Sequence, residues 1–330
     1  MKCTNKIIMT GVSLLLSGTI LSGCGSEAYD MAYSPDYPVS SYRITAAEDE
    51  NGLSTPFAAD LCVADGDITE NSSVDMSDAS SAALFHLDNS ETIYAKNIYE
   101  KLSPASLTKL MTALVAVKMK SDSLDTVLTA SANVKMTESG AQTCGLKEGD
   151  KMTLDQALHV LLINSANDAA VLIAEGVGGS VEGFSELMNQ EAKEIGATGS
   201  NFVNPHGLTA DNHYVTAYDM YLIFNEALKY PLIAEIISMP SYSTVYEDKN
   251  GDSKELSVNS TNLFLTGDKN APDSVTVIGG KTGTTSAAGH CLILLSKDTL
   301  GQSYISVIMR SKTGDGLYDE MAGLLGEIKN

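Results

Sequence analysis

The sequence predicts an α+β fold, in which both ends of the folded body contribute to one antiparallel sheet and a helical lobe lies between them. Three observations lead to this fold class. Strand-like residues occur early in the body, helical periodicity dominates its middle, and strand-like runs return after residue 275. Because a sheet must bury an apolar face, strands from the two ends can pair while the intervening helices pack separately.

The body opens with a predicted β-hairpin that is followed by a helix. Runs 83–87 and 92–95 are rich in β-forming residues, and the Asp-Asn-Ser sequence between them suits a turn. Ser103 is a favourable N-cap and Pro104 suits the first helical position. The apolar residues that follow recur at spacings of three and four, which is typical of a packed helix: Leu107, Leu110, Met111, Leu114 and Val115.

The middle of the body is predicted to be helical and its later part β-rich. Residues 153–174 show helical periodicity on both sides of a short break, and 181–195 predict another helix. A last helix is predicted near 315–328. The late strand-like runs are separated by turns and suit antiparallel hairpins; they are 275–278, 291–295 and 304–309.

The first residues predict a lipoprotein signal peptide over 1–23. A basic start precedes an apolar run over 7–21, which is short for a membrane-spanning helix and typical of a signal peptide. The run ends in a Leu-Ser-Gly-Cys sequence that resembles a bacterial lipobox, which implies cleavage before Cys24 and lipidation of its thiol. We therefore expect a lipid anchor on the extracytoplasmic face of the bacterial cell membrane. An ordinary signal peptide that happens to contain a cysteine is the alternative.

An acidic flexible stalk is predicted over 24–80, with the folded body at 81–330. Between residues 25 and 80, twelve acidic residues face one base, Arg43, and mutual repulsion with few large apolar groups disfavours a core. One stretch alternates at period two and predicts a possible short strand over 57–63: Phe57, Ala59, Leu61 and Val63.

Charge and cysteine content bear on partners and cofactors. The formal net charge of −21 disfavours nucleic-acid binding, because phosphates require Lys and Arg. No Cys/His spacing is typical of a zinc site, and we expect neither a metal nor another cofactor. Outside the cell one disulfide is possible among Cys62, Cys144 and Cys291. The sequence does not select a pair, and three free thiols are the alternative.

Ser106 and Lys109 form the first of three motifs that can carry chemistry. Positions i and i+3 share a face of a helix, with Cβ atoms about 5–6 Å apart, so the hydroxyl and the amine can meet. A serine becomes nucleophilic when a base takes its proton, and a lysine amine can act as that base if burial or a nearby cation lowers its pKa. Ser106 is also placed in the first helical turn, where free N–H groups favour a developing oxyanion.

Two further motifs offer polar groups that can serve such a nucleophile. Ser165 and Asn167 fall between two helical stretches, where a hydroxyl can relay a proton and an amide can hold a substrate carbonyl and the lysine. Lys281-Thr282-Gly283 follows a strand-like run, where a cation and a hydroxyl can bind a carboxylate and glycine allows close approach of a peptide. Each motif alone is also compatible with an ordinary helix face, polar break or Gly-rich turn.

The order of the motifs points to a family. Ser-x-x-Lys, Ser-x-Asn and Lys-Thr-Gly follow the order of penicillin-binding proteins and class A β-lactamases, 59 and then 116 residues apart. Over about 82–310 the chain resembles the low-molecular-mass penicillin-binding proteins that are serine-type D-alanyl-D-alanine carboxypeptidases. The segments that carry this resemblance are 104–112, 146–150, 164–170, 202–208 and 280–285.

The resemblance implies a β-lactamase/transpeptidase-like fold, with an antiparallel sheet flanked by helices, an all-helical lobe and the site between them. It implies that Ser106 attacks the D-Ala-D-Ala carbonyl of peptidoglycan stem peptides and that Lys109 is the base. By the same resemblance Ser165 relays protons and Asn167 positions the substrate. The acyl-enzyme would then be hydrolysed after release of D-Ala.

The resemblance also implies the remaining substrate contacts. Lys281 and Thr282 would take the terminal carboxylate beside Gly283, and the backbone N–H groups of Ser106 and Thr284 would form the oxyanion hole. β-Lactam antibiotics should acylate the same serine. Many relatives carry a C-terminal β-rich domain and an amphipathic membrane helix, which do not fit the residues after the body here. We therefore expect the N-terminal lipid to replace that anchor.

Three other functions share parts of this pattern. A class A β-lactamase needs a Glu well after the second motif, and the nearby Glu-x-x-Asn, Glu186 to Asn189, falls in a helix pattern that matches the carboxypeptidases. A peptidoglycan D,D-endopeptidase is barely separated by sequence. A non-catalytic β-lactam-binding lipoprotein is disfavoured because the nucleophile, base and carboxylate-binding residues are all present. His206 is not required as a general base, since in Ser-Lys chemistry the lysine takes that role.

Overall fold

A five-stranded antiparallel sheet forms the centre of the computed structural model, which describes residues 60–70 and 72–329. Its strands are β1 (Ser81–His86), β2 (Glu91–Lys96), β7 (Val275–Thr285), β8 (Gly289–Asp298) and β9 (Ser303–Ser311). Their order in the sheet is β2-β1-β9-β8-β7, so the first two strands of the body pair with the last three. The predicted sheet built from both ends of the body is therefore confirmed, and β7 lies at one edge.

A helical lobe separates the early strands from the late strands in the chain. It comprises α1 (Thr108–Lys120), α2 (Leu154–Ile163), α3 (Asn167–Gly178), α4 (Val181–Glu194), α5 (Ala217–Ala227) and α6 (Pro231–Ile236). The helices predicted over 153–174 and 181–195 are confirmed, together with the break between α2 and α3. Two later helices, α7 (Leu263–Thr266) and α8 (Gly314–Leu325), contact the strands of the main sheet.

Apolar cores lie on both faces of the main sheet because successive residues of its central strands are apolar and point to opposite sides. On β1, Ala83 and Phe85 belong to the core shared with the helical lobe. Their neighbours Ala82 and Leu84 belong to a second core, which α8 closes from the other side. This arrangement confirms the predicted sheet flanked by helices.

A smaller four-stranded antiparallel sheet was not predicted. It contains β3 (Val127–Thr129), β4 (Lys151–Thr153), β5 (Ser241–Glu247) and β6 (Ser253–Asn259) in that order. β3 and β4 have three residues each, which is too short to show a period in sequence. The β5–β6 hairpin is largely half-buried or exposed and carries many polar residues, so it lacks an apolar run.

The N-terminal boundary of the body lies earlier than the sequence predicted. Ile68 forms an antiparallel bridge with Ala95 of β2. Lys96 donates through Nζ to the carbonyl oxygens of Met76 at 2.6 Å and Ala79 at 2.7 Å. The flexible stalk predicted through residue 80 is therefore wrong for the described residues between 60 and 80, which pack on the sheet.

Distant partners explain why this acidic segment folds. Asp67 accepts a hydrogen bond from the backbone N–H of Asn97 at 2.7 Å, and Asp78 forms an ion pair with Lys312 at 3.0 Å. These partners neutralise or solvate carboxylates that appear only repulsive in the local sequence. Of the possible 57–63 strand, residues 60–63 form no strand and 57–59 lie outside the described residues.

The predicted signal peptide over 1–23 and the lipidation residue Cys24 also lie outside the described residues. Within residues 60–70 and 72–329, no helix combines the length and apolarity needed to cross a membrane. Cys62, Cys144 and Cys291 are all free thiols in the structure.

Candidate active site

Ser106 lies in a tight turn that precedes the first long helix of the lobe. A 3₁₀ turn, Ala105–Leu107, holds it directly before α1. The sequence predicted Ser103 as N-cap of a helix starting at Pro104, but Pro104 caps the 3₁₀ turn and no side chain accepts a capping hydrogen bond there. Ala105 adopts a left-handed φ of 48°. A Cβ at Gly207 would lie 1.8 Å from the Ala105 carbonyl oxygen, so only glycine allows this turn to form against the 202–208 segment.

Lys109 is fully buried one helical turn after Ser106. Its Nζ lies 2.9 Å from Ser106 Oγ, 2.8 Å from Asn167 Oδ1 and 2.6 Å from the carbonyl oxygen of His206. Burial lowers the pKa of Lys109 well below its ordinary value, and the positive charge of Lys281 lowers it further. The amine beside Ser106 is therefore biased towards its neutral form.

A second buried lysine lies on the opposite side of the cleft. Lys281 is 1% exposed, and its Nζ donates to Ser165 Oγ at 2.9 Å and to the carbonyl oxygen of Thr282 at 2.9 Å. Burial lowers the pKa of Lys281 to about 7. Ser165 adopts a left-handed φ of 65° in the break between α2 and α3, which brings its hydroxyl towards β7.

The edge strand β7 lies against the turn that carries the nucleophile. A Cβ at Gly283 would lie 2.9 Å from the backbone nitrogen of Ser106, so glycine is required for this approach. Thr282 Oγ1 lies 2.5 Å from Thr261 Oγ1, which fixes one hydroxyl at the mouth of the cleft. The exposed edge of β7 can accept an extended peptide as an additional strand.

These elements enclose a cleft of about 420 Å³ between the helical lobe and the sheet. Six of the eight predicted active-site residues line it: Ser106, Ser165, Asn167, Thr282, Gly283 and Thr284. The other two, Lys109 and Lys281, lie beneath the surface and hydrogen-bond to lining residues. The structure thus brings together three motifs that are far apart in sequence.

A sequence profile described as D-alanyl-D-alanine carboxypeptidase matches residues 68–313. The chain belongs to this family. D-alanyl-D-alanine carboxypeptidase DacF of Bacillus subtilis is 38% identical over 227 residues, which cover 67% of this chain and 54% of the relative. DacC of Escherichia coli is 32% identical over 256 residues, covering 75% of this chain and 60% of the relative. The chain therefore spans between half and two thirds of the length of these relatives.

Two solved structures have the same fold as this carboxypeptidase-family chain. The Streptomyces K15 DD-transpeptidase aligns with a TM-score of 0.70 at 24% identity, over 76% of this chain and 96% of that chain. Penicillin-binding protein D2 of Listeria monocytogenes, solved in its cefotaxime-bound form, aligns with a TM-score of 0.63 at 26% identity and the same coverage. The expected transpeptidase-like fold is thereby confirmed.

Several contacts in this carboxypeptidase-family site were not assigned from the sequence. The carbonyl oxygen of His206 reaches Lys109, while its imidazole Nδ1 accepts the N–H of Leu208 at 3.1 Å. Burial, with a smaller effect of the Lys109 charge, lowers the pKa of His206 to about 3, so the ring is neutral. Gly207 contributes by its close fit against the Ala105 backbone, and Thr261 by the hydrogen bond between its hydroxyl and that of Thr282. No local sequence pattern indicates either contact.

Proposed function

We propose that this chain is a serine D-alanyl-D-alanine carboxypeptidase that removes the terminal D-Ala from peptidoglycan pentapeptides through an acyl-enzyme on Ser106. The hydrogen-bonding of Lys109 Nζ carries the proposal. Asn167 Oδ1 and the His206 carbonyl oxygen can only accept, so a neutral amine donates its two protons to them and directs its lone pair at Ser106 Oγ. A buried base aimed at a serine is the arrangement that nucleophilic catalysis requires.

Acylation follows from this geometry. Ser106 Oγ attacks the carbonyl carbon of the penultimate D-Ala as Lys109 takes its proton, and the backbone N–H groups of Ser106 and Thr284 stabilise the oxyanion. The C–N bond to the terminal D-Ala then breaks. Its amine receives a proton by way of Ser165, whose hydroxyl lies on the Lys281 side of the cleft. Asn167 holds the substrate carbonyl beside the lysine.

Deacylation and substrate binding use the same groups. Water attacks the ester with Lys109 again as base, which frees the shortened peptide and restores Ser106. Lys281 in its protonated form and the Thr282 hydroxyl bind the terminal carboxylate, while Gly283 keeps the strand edge open to the peptide. β-Lactams present a similar carbonyl and carboxylate, so we propose that they acylate Ser106 as inhibitors.

The reaction is tested by incubating residues 25–330, which exclude the predicted signal peptide, with a diacylated Lys-D-Ala-D-Ala peptide and, separately, with penicillin. We expect released D-Ala from the peptide and added penicillin mass on Ser106. Cleavage of cross-linked dimers without D-Ala release would identify an endopeptidase instead. Rapid steady turnover of penicillin would favour a class A β-lactamase, and penicillin binding without peptide cleavage a non-catalytic lipoprotein.

The pH dependence of this reaction is set by the two buried lysines. Activity requires neutral Lys109, whose pKa is lowered, so kcat/KM rises with pH as that proton is lost. Activity also requires protonated Lys281, so kcat/KM falls as pH rises through its pKa of about 7. In Lys281→Met we expect a lower plateau, loss of the alkaline limb, and an acid limb at higher pH, since the cation that lowers the pKa of Lys109 is gone. A pH profile of D-Ala release measures all three; an alkaline limb that persists in the variant contradicts the assignment.

We also propose that a lipid on Cys24 anchors the enzyme to the extracytoplasmic face of the bacterial membrane. The lipobox-like sequence at Cys24, directly after the apolar run, supports the proposal. In Cys24→Ser we expect the protein to move from the membrane fraction to the soluble fraction, and mass spectrometry of the wild-type N-terminal peptide to show a diacylglycerol-modified cysteine. Cys3→Ser, within the predicted leader, is the matched control and should leave the distribution unchanged. An unmodified Cys24 would contradict the anchor.

A further inference from the structure

Asp168 is a buried carboxylate next to the catalytic cluster that the mechanism above does not use. It follows Asn167 in the first turn of α3 and is 1% exposed. Its Oδ2 accepts the backbone N–H groups of Gly145 at 2.9 Å and Leu146 at 3.0 Å. Cys144 donates its N–H to both oxygens at 3.1 Å, and Oδ1 also accepts the N–H of Ala169 at 3.0 Å.

These contacts attach a loop to the floor of the active site. Gly140, Ala141 and Gln142 form part of the cleft wall, and a single residue separates them from the segment that Asp168 holds. The Gln142 carbonyl oxygen in turn accepts the backbone N–H of Asn167 at 2.8 Å. The segment 140–146 is here called the wall loop. Two successive residues at the start of α3 hold it: Asn167 through Gln142, and Asp168 through residues 144–146.

We propose that Asp168 is a positioning residue that holds the wall loop in place and supplies a negative charge directly after Asn167, the residue whose Oδ1 accepts a hydrogen bond from Lys109 Nζ. The proposal rests on the proposed function, because it concerns the base of that reaction. Asp168 touches neither substrate nor nucleophile and acts through the wall loop and Lys109. A neutral side chain could retain part of the hydrogen bonding but could not supply the charge.

The charge matters because Lys109 must be neutral and still basic. Burial and the Lys281 cation lower the pKa of Lys109, whereas the Asp168 carboxylate raises it. A base whose pKa falls too far below the working pH accepts a proton weakly, so the carboxylate limits the loss of basicity. Asp168 therefore opposes the two groups that keep Lys109 neutral.

The other titratable groups around this pair come from several elements. Lys281 projects from β7, His206 from the segment before α5, Cys144 from the wall loop, and Tyr246 from β5. Burial lowers the pKa of His206 to about 3, and burial raises the pKa of both Cys144 and Tyr246 above their ordinary values. Among these groups, Lys281 has a pKa of about 7, and its positive charge lowers the pKa of Lys109 directly.

Asp168→Asn tests both roles, with D-Ala release and penicillin acylation measured across pH. We expect the acid limb of kcat/KM to move to lower pH, because the carboxylate that raises the pKa of Lys109 is removed. We expect KM for the peptide to rise about tenfold or more as the wall loop loosens. Asp150→Asn is the matched control: it is also buried and accepts the Lys147 N–H at 3.0 Å, and should leave the acid limb in place.

A second variant separates position from charge. Gly145 has a left-handed φ of 88° with open space around it, so Gly145→Ala strains the wall loop without steric clash and keeps the carboxylate. We expect its KM to rise and its acid limb to stay. An unmoved acid limb in Asp168→Asn overturns the charge role, and an unchanged KM in both variants overturns the positioning role.

Two features keep the test decisive. If Asp168→Asn does not fold, hydrogen exchange on the wild-type protein replaces it: slow exchange of the Gly145 and Leu146 amides supports the attachment, and exchange at the rate of an unstructured peptide overturns it. If the wild type acylates with penicillin but releases no D-Ala, the proposed function fails. The pH profile of acylation at Ser106 still decides the role of Asp168.

Discussion

Replacing Ser106 with alanine is expected to lower D-Ala release by about 10⁴-fold or more, since among the residues that the structure describes no other hydroxyl hydrogen-bonds to Lys109 Nζ. Penicillin should add no mass to the variant. The peptide should still bind within a few-fold of the wild-type affinity, because the carboxylate contacts proposed above come from Lys281 and Thr282. The loss of one hydrogen bond to Lys109 should reduce the free energy of unfolding by only about 1 kcal/mol.

Ser103→Ala is the matched control for this variant. It makes the same chemical change three residues earlier, at the predicted N-cap, which the structure replaces by Pro104. Its rate and thermal unfolding should equal those of the wild type. If Ser106→Ala is folded by circular dichroism and still releases D-Ala rapidly, Ser106 is not the nucleophile.

Periodicity and turn chemistry were sufficient to predict most of the fold. The strands at both ends, the helices over 153–174 and 181–195, and their short break all follow from patterns within about twenty residues. The β5–β6 hairpin was not predicted because its strands are largely half-buried or exposed and lack an apolar run. The packing of the residues between 60 and 80 was not predicted for a different reason. The partners of Asp67 and Asp78 are Asn97 and Lys312, which are distant in the sequence.

In the candidate site too, some features could be predicted from the sequence and others could not. The three motifs could be found because hydroxyl, amine and amide groups recur at short spacings that a helix or turn brings together. Contacts that depend on distant backbone could not be found. The His206 carbonyl oxygen on Lys109 and the fit of Gly207 against Ala105 join segments about a hundred residues apart, and residues 206 and 207 contribute only backbone atoms to these contacts.

Replacing Lys109 with methionine is expected to lower the rate of acylation by about 10³-fold, within the range for removal of a general base. Methionine has nearly the same length but provides no lone pair for the Ser106 proton. The residual rate should rise with pH as hydroxide replaces the base, and the acid limb that reflects the lowered pKa of Lys109 should disappear. Mass spectrometry of penicillin addition over time, repeated across pH, measures both effects.

Stability separates the role of Lys109 as base from a role in packing. Burying an amine costs free energy, but its removal leaves Asn167 Oδ1 and the His206 carbonyl oxygen without their donor, at about 1–3 kcal/mol each. These terms oppose each other, so we expect a modest change in thermal unfolding beside a large change in rate. Lys118→Met makes the same substitution on the exposed side of α1, where Lys118 pairs with Glu191 at 2.7 Å, and should leave acylation unchanged. Equal losses of rate in the two variants would mean that Lys109 acts through the helix and not as the base.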